Sequence, residues 1–219
     1  MELLVFFWDL LVHLDVHLAA LLAQYGGWIY LILFLIVFCE TGLVVTPFLP
    51  GDSLLFIAGA LVSSGELDLA TLNLLLIAAA ILGNTTNYWI GRYFGPKVFA
   101  WEDSRFFNRA AFHKAHGFYE RHGGKTIVIT RFLPILRTFA PFVAGVAAMT
   151  HARFQLYNIA GGVLWVVSLT VAGYWFGNIA WVKSNLTAII LALIIIPGLP
   201  ALAAAIQTWR QQRRAPGKG

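Results

Sequence analysis

Two acids and two arginines sit inside apolar stretches of this sequence. Glu40 and Asp52 fall in CETGLVVTPFLPGDSLLF (residues 39–56), and Arg131 and Arg137 fall in ITRFLPILRTFAPFVAG (129–145). A charge at the centre of a bilayer costs about 2.5–3.5 kcal/mol on insertion scales. Four unpaired charges would cost on the order of 10 kcal/mol, so they must share partners or water. Arginine stays protonated and presents a planar fork of donors suited to phosphate. A carboxyl in a low-dielectric site favours its neutral form and can exchange a proton near neutral pH. Two arginines beside two acids therefore suit a phosphate-bearing substrate exchanged against protons. They also suit ion pairs that pin one segment to another, and the two roles are compatible.

The rest of the chain says what must hold these groups. Its 219 residues are only 11% charged, against about 25% in soluble domains, and the mean hydropathy is +0.76. This is the composition of an integral membrane protein, with a length that suits one membrane domain. Cys39 is the single cysteine, so there is no disulfide framework and no zinc spacing. The net charge of +5 is concentrated in residues 92–125 and in the tail TWRQQRRAPGKG. In a membrane protein such clusters mark cytoplasmic loops that can meet anionic lipid rather than nucleic acid.

Hydropathy divides the chain into segments. Residues 1–26 carry Glu2, Asp9, His13, His17 and Gln24 on one helical stripe, the pattern of an amphipathic interfacial helix rather than a signal peptide. Residues 28–46 and 69–94 are long enough to span, as are 154–182 and 186–208. Residues 96–125 form a polar and aromatic cytoplasmic connector, and 209–219 a disordered tail. Residues 47–62 and 129–149 are apolar but interrupted by Pro47, Pro50 and Gly51 in the first and by Pro134 and Pro141 in the second. Placing 92–125 and the tail on the same side requires 129–149 to enter and leave from the cytoplasm. By the same count 47–62 enters and leaves from outside. Both termini are then cytoplasmic.

These two interrupted segments resemble each other. VTPFLPGDSLLFIAG (45–59) and ITRFLPILRTFAPFVAG (129–145) share T-x-F-L-P and a terminal A-G. Each precedes a long helix, one ending GRYFG (91–95) and the other GYWFG (173–177). The G-x-x-x-G spacing puts both glycines on one helix face, where another helix can approach closely. The expected fold is an all-α polytopic membrane protein. Its halves, 28–95 and 126–182, form an inverted repeat of re-entrant helical hairpin plus transmembrane helix, with broken helices meeting near the midplane. The prolines break the hairpins and free backbone groups to face the interior.

Other polar residues carry weaker signals. His113, His116 and His122 in FHKAHGFYERH read as an amphipathic surface segment rather than a metal site. Asn84, Asn87 and Tyr88 in one long helix, and Asn158 in its counterpart, read as interhelical hydrogen bonds or as lining of the polar interior. Trp101, Trp181 and Trp209 read as interface anchors.

The motifs E-x-G-L-x-x-x-x-x-x-P-G-D-S (40–53), Y-x-x-G-R-x-x-G (88–95) and R-F-x-P-x-x-R-T-x-x-P-x-x-A-G (131–145) resemble those of the DedA family, whose wider relatives share the VTT domain. So do F-x-x-x-N (154–158) and G-Y-x-x-G (173–177). The resemblance runs over nearly the whole chain. It implies a bacterial inner-membrane protein with paired re-entrant hairpins, in a family implicated in recycling undecaprenyl phosphate in dependence on the proton-motive force. Eukaryotic relatives scramble phospholipids. The family's essential acids fall on Glu40 and Asp52, and its essential arginines on Arg131 and Arg137. One departure is local. Related sequences commonly have Gly-Asp where this chain has Gly83-Asn84, so a carboxylate role at that position does not carry over.

The expected function is movement of a phosphate-headed lipid, undecaprenyl phosphate by resemblance, between leaflets. Arg131 and Arg137 would bind the phosphate, and Glu40 and Asp52 would carry protons or gate. The expected partners are membrane lipids and protons, with no nucleic acid, cofactor or metal, and with oligomerisation left open. No histidine accompanies the four charges to serve a lipid phosphatase, so an enzyme is not expected. A proton-coupled antiporter of ions or small cations, using the acids but not both arginines, and a phospholipid scramblase are the alternatives.

Overall fold

The computed structural model describes residues 14–43, 51–65, 67–100, 123–177, 179–185, 188–189 and 192. Among them every regular element is helical. In chain order these are α1 (Leu14–Tyr25), a 3-10 turn (Gly26–Trp28), α2 (Ile29–Gly42), α3 (Gly51–Ser63), α4 (Leu69–Ala100), α5 (Lys125–Thr130), α6 (Pro134–Val146), α7 (His151–Phe176) and α8 (Ala180–Ser184). Several expectations lie outside the described residues. They are the breaks at Pro47 and Pro50, His113, His116 and His122, most of the connector and of the last span, Trp101 and Trp209, and the tail.

Three stretches are long and apolar enough to cross a membrane: Val16–Gly42, Leu69–Phe94 and His151–Phe176. The chain is a multi-pass membrane protein. The first stretch is longer than residues 28–46, because most of α1 is apolar and runs through the Gly26 turn into α2. In α1 Leu18 is buried, with Leu21 and Leu22 packed on the core, while Gln24 is exposed. α4 runs beyond residue 94 to Ala100, and α7 stops at Phe176, with α8 separate, rather than continuing to 182. α3 and α6 are 13 residues each. Such helices are about 20 Å long, short of the roughly 30 Å hydrocarbon core.

Local chemistry explains the ends that matter. Asp68 caps α4: its Oδ2 accepts from the Thr71 N–H at 2.7 Å, and its own N–H donates to the Tyr30 hydroxyl at 2.8 Å. The Thr71 hydrogen bonds hold the Asp68 carboxyl below the usual carboxylate range. α5 stops at Thr130, three residues of turn follow, and Leu133 is extended (φ −117°, ψ 103°). A residue before proline is pushed out of the helical region, and Pro134 then opens α6. Pro141 does not break the helix as expected; α6 runs through it from Pro134 to Val146. Tertiary packing overrides its local effect, which is to deprive the Arg137 carbonyl of a helical donor. One residue on, the Thr138 carbonyl accepts from Asn87 Nδ2 at 2.7 Å.

The packing is reciprocal. α3 lies along α7, α6 lies along α4, α2 packs on α4, and α5 packs on α7. One apolar core gathers Leu18, Leu33, Leu54, Leu72 and Trp165, and a second gathers Tyr88, Ile127, Ala144 and Phe154. Glycines set the approach at both long contacts. Gly59 of α3 lies on the Thr170 carbonyl of α7, and Gly173 of α7 on the Phe56 carbonyl of α3. Gly145 of α6 lies on the Tyr88 carbonyl of α4, and Gly91 of α4 on the Phe142 carbonyl of α6. A Cβ at any of the four would overlap backbone, which cannot yield as a flexible side chain can. Gly59→Ala and Gly145→Ala are therefore each expected to destabilise by roughly 1–3 kcal/mol, the usual cost of overpacking. Thermal unfolding of the purified protein in detergent checks this, and two neutral substitutions would show that the helices can part freely.

Candidate functional site

The site is built where the short helices meet the long ones. The last turn of α2 carries Glu40, which is fully buried and lies directly against Gly51. Any side chain at Gly51 would displace that carboxylate. Asp52 sits in the first turn of α3. Arg131 occupies the break between α5 and α6, and Arg137 lies one turn into α6.

The two arginines have different surroundings. Arg137 joins both acids, through Nη1 to Asp52 Oδ1 at 2.7 Å and through Nη2 to Glu40 Oε1. Helix α6 is thereby tied to α2 and α3. Arg131, 1% exposed, contacts no carboxylate among the described residues. Its Nη2 donates to Asn158 Oδ1 at 2.5 Å, to the Asn158 carbonyl at 3.3 Å and to the Ala80 carbonyl at 3.4 Å. Its Nε and Nη1 have no hydrogen-bond partner among the described residues. The side chain can lie there because α7 carries Gly161 and Gly162 beneath it. A Cβ at 161 would come within 3.2 Å of Arg131 Cδ.

Trp165 joins the two halves of the cluster. The guanidinium carbons of Arg137 and Arg131 stand 4.8 Å and 5.9 Å from its ring centroid. Its indole N–H donates to Asp52 Oδ1 at 2.8 Å. Sequence reasoning missed this residue, because a tryptophan in an apolar helix looks like lipid-facing or core material. The available signal was helical spacing: Asn158, Gly161, Gly162 and Trp165 share one face of α7.

An amide network supports Arg131. Asn158 Nδ2 donates to the Ile81 carbonyl at 3.1 Å, to Gln155 Oε1 at 3.1 Å and to Thr85 Oγ1 at 3.3 Å. Asn84 Nδ2 donates to Asn158 Oδ1 at 3.2 Å. Asn84 and Asn158 are thus an interhelical pair. Asn87 instead ties α4 to the Thr41 and Thr138 carbonyls, and the Tyr88 hydroxyl donates to the Met149 carbonyl. Glu40, Arg131 and Arg137 are buried between helices, and Asp52 is half-buried. A cleft of about 560 Å³ at Trp28, Tyr30, Phe34 and Leu75 lies elsewhere and is lined by none of them. Among the described residues no cluster of His, Cys, Asp or Glu could hold a metal.

This arrangement can do two things. A paired cation, Arg137 with two acids, can be released when both acids take protons. An uncompensated cation, Arg131, can receive an anion directly.

Residues 49–175, which include Asp52, Arg131, Arg137, Trp165 and the Asn84–Asn158 pair but not Glu40, match the VTT domain. The chain is 52% identical over 217 residues to Protein DedA of Escherichia coli strain K12, covering 98% of this chain and 99% of that one. It is 44% identical over 185 residues to an uncharacterised membrane protein of Mycobacterium tuberculosis, covering 83% and 81%. It is 39% identical over 155 residues to Inner membrane protein YqjA of Escherichia coli, covering 69% of each. No solved structure matches the chain significantly. A domain match over more than half of the sequence, with half of all residues shared over nearly the full length of a relative, makes this chain a member of the DedA family of VTT-domain membrane proteins.

Proposed function

We propose that this protein moves a phosphate-headed lipid between the leaflets of a bacterial inner membrane and is not an enzyme. The observation that carries the reading is Arg131. A fully desolvated guanidinium that has, among the described residues, two unpartnered donors and no carboxylate against it is costly unless an anion occupies it for part of the cycle. Arg137 completes the headgroup site once its acids let go. Glu40 and Asp52 carry the protons that decide whether Arg137 is paired or free. Undecaprenyl phosphate is the substrate we favour, by family resemblance.

The architecture that supports transport is an inverted repeat. In it two re-entrant hairpins stop short of crossing, one carrying α3 and the other α5 and α6. The matched glycine contacts of α3 on α7 and of α6 on α4 support this, as does the shortness of α3 and α6. The basic clusters in the sequence support cytoplasmic termini, and a relative named an inner membrane protein supports the location.

The test is reconstitution of the full chain into proteoliposomes, following translocation of a fluorescent long-chain prenyl phosphate and of a zwitterionic phospholipid. Fast movement of the phosphate lipid alone is expected. Equal movement of both would make the protein a scramblase. Proton flux with an ion and without lipid, insensitive to substitution of Arg131, would make it an antiporter. Unchanged flipping by both Arg131→Ala and Arg137→Ala would sink the proposal.

A further inference from the structure

We infer that Asn84 and Asn158 form a neutral amide pair that keeps Arg131 free of a counterion, and that Asn84 thereby sets how anion binding at Arg131 depends on pH. The inference rests on the phosphate-site reading above. It concerns which residues tune the site rather than whether the site exists.

The charged groups around Arg131 can be named element by element. α2 brings Glu40 and α3 brings Asp52, and both are engaged by Arg137 of α6. α5 brings only Lys125, which is exposed. α7 brings Asn158 and Gln155, with His151 beyond them at the exposed start of the helix, 3.4 Å from Gln155. α4 brings Asn84 and the Ala80 carbonyl. Among the described residues, the groups that hydrogen-bond to Arg131 are therefore all neutral.

Asn84 is the position where that could change. It shares an acceptor with the guanidinium: Asn84 Nδ2 and Arg131 Nη2 both donate to Asn158 Oδ1. Its own Oδ1 is buried and has no hydrogen-bond partner among the described residues. A carboxylate has nearly the same shape as this amide. At position 84 it would compete with a phosphate oxygen for Arg131 whenever it is ionised, and would withdraw when protonated. With asparagine there, no such competitor exists. Asn158 is then a positioning residue: it points Nη2 at itself and leaves Nε and Nη1 for the ligand. The ligand class is a phosphate monoester, on a lipid or free.

The experiment uses the purified full-length protein in detergent, with dodecyl phosphate and inorganic phosphate as probes, and measures affinity from pH 5 to pH 8. Each variant is expressed as a ratio to the unsubstituted protein, which cancels the titration of phosphate itself. For Asn84→Asp the ratio is expected to be lower by about tenfold or more at pH 8 and to rise as the pH falls toward 5 and the carboxylate takes a proton. For Asn84→Ser it is expected to stay flat. Asn158→Asp, which puts the carboxylate in direct contact with Nη2, should follow the Asn84→Asp profile and serves if that variant fails to fold. A flat profile for both Asp variants, or an equal loss for Asp and Ser at every pH, overturns the inference and leaves a structural hydrogen bond. Binding of dodecyl phosphate alone points to a lipid headgroup, and comparable binding of both probes to phosphate as such; either supports it. If the unsubstituted protein binds neither probe, the phosphate-site reading falls and this inference with it. If it binds and only the pH profiles fail, the phosphate-site reading stands.

Discussion

Arg137→Met is expected to destabilise the protein by about 3–5 kcal/mol and to abolish lipid movement. Glu40 has no exposed surface and its counterion in the structure is Arg137; Asp52 keeps the indole N–H of Trp165. Removing the guanidinium leaves two carboxylates together in a dry site. Breaking a buried pair from one side costs far more than the pair contributes, because the remaining charge stays desolvated. The same side chain also ties α6 to α2 and α3, so the loss spreads to the hairpin. The double variant Arg137→Met with Glu40→Gln should recover much of the stability, since one of the two stranded charges is gone, but not transport. Thermal unfolding in detergent and flipping in proteoliposomes separate the two outcomes. A fully stable Arg137→Met would show that Glu40 and Asp52 are neutral in the resting protein and that the ion pairs do not hold the helices together.

The chemistry of this site was more legible in the sequence than its wiring. Glu40, Asp52, Arg131 and Arg137 stand out because a charge inside an apolar run is expensive wherever it points. Which arginine meets which acid depends on the register of α6 against α2 and α3, and no linear pattern encodes that. The G-x-x-x-G spacing pointed to close helix approach at Gly91 and Gly173, and the A-G ends at Gly59 and Gly145 proved to be their counterparts. Their partners, the carbonyls of Phe56, Phe142, Tyr88 and Thr170, are backbone and leave no trace in residue type. Pro141 misled for the opposite reason. Its local effect is strong, yet α6 is held along its length by α4 and tolerates one missing hydrogen bond. Trp165 was hidden because its function rests on the two guanidinium groups and Asp52 around it, and all three come from distant parts of the chain.

Arg131→Met should do the reverse of Arg137→Met in stability while matching it in function. Arg131 has no carboxylate to strand. Its removal takes away a buried charge whose Nε and Nη1 are unpartnered, and methionine fills most of the volume above Gly161 and Gly162. Asn158 Oδ1 keeps a donor, Asn84 Nδ2, so no new orphan is left on the amide side. Replacing a buried ionic group by an apolar one of similar size is often neutral or stabilising by about 1–4 kcal/mol. The unfolding temperature should therefore hold or rise. Phosphate affinity should fall at least about 100-fold, since charge-assisted hydrogen bonds are worth roughly 1.5–3 kcal/mol each and two donors are lost. Arg131→Lys should restore only part of it, because a lysine offers a point charge where the site presents a fork. The decisive comparison is the pair of signs. If Arg131→Met and Arg137→Met both destabilise, Arg131 is a structural cation satisfied by the Asn158 network. If only Arg137→Met does, one arginine holds the helices together and the other is kept open for an anion.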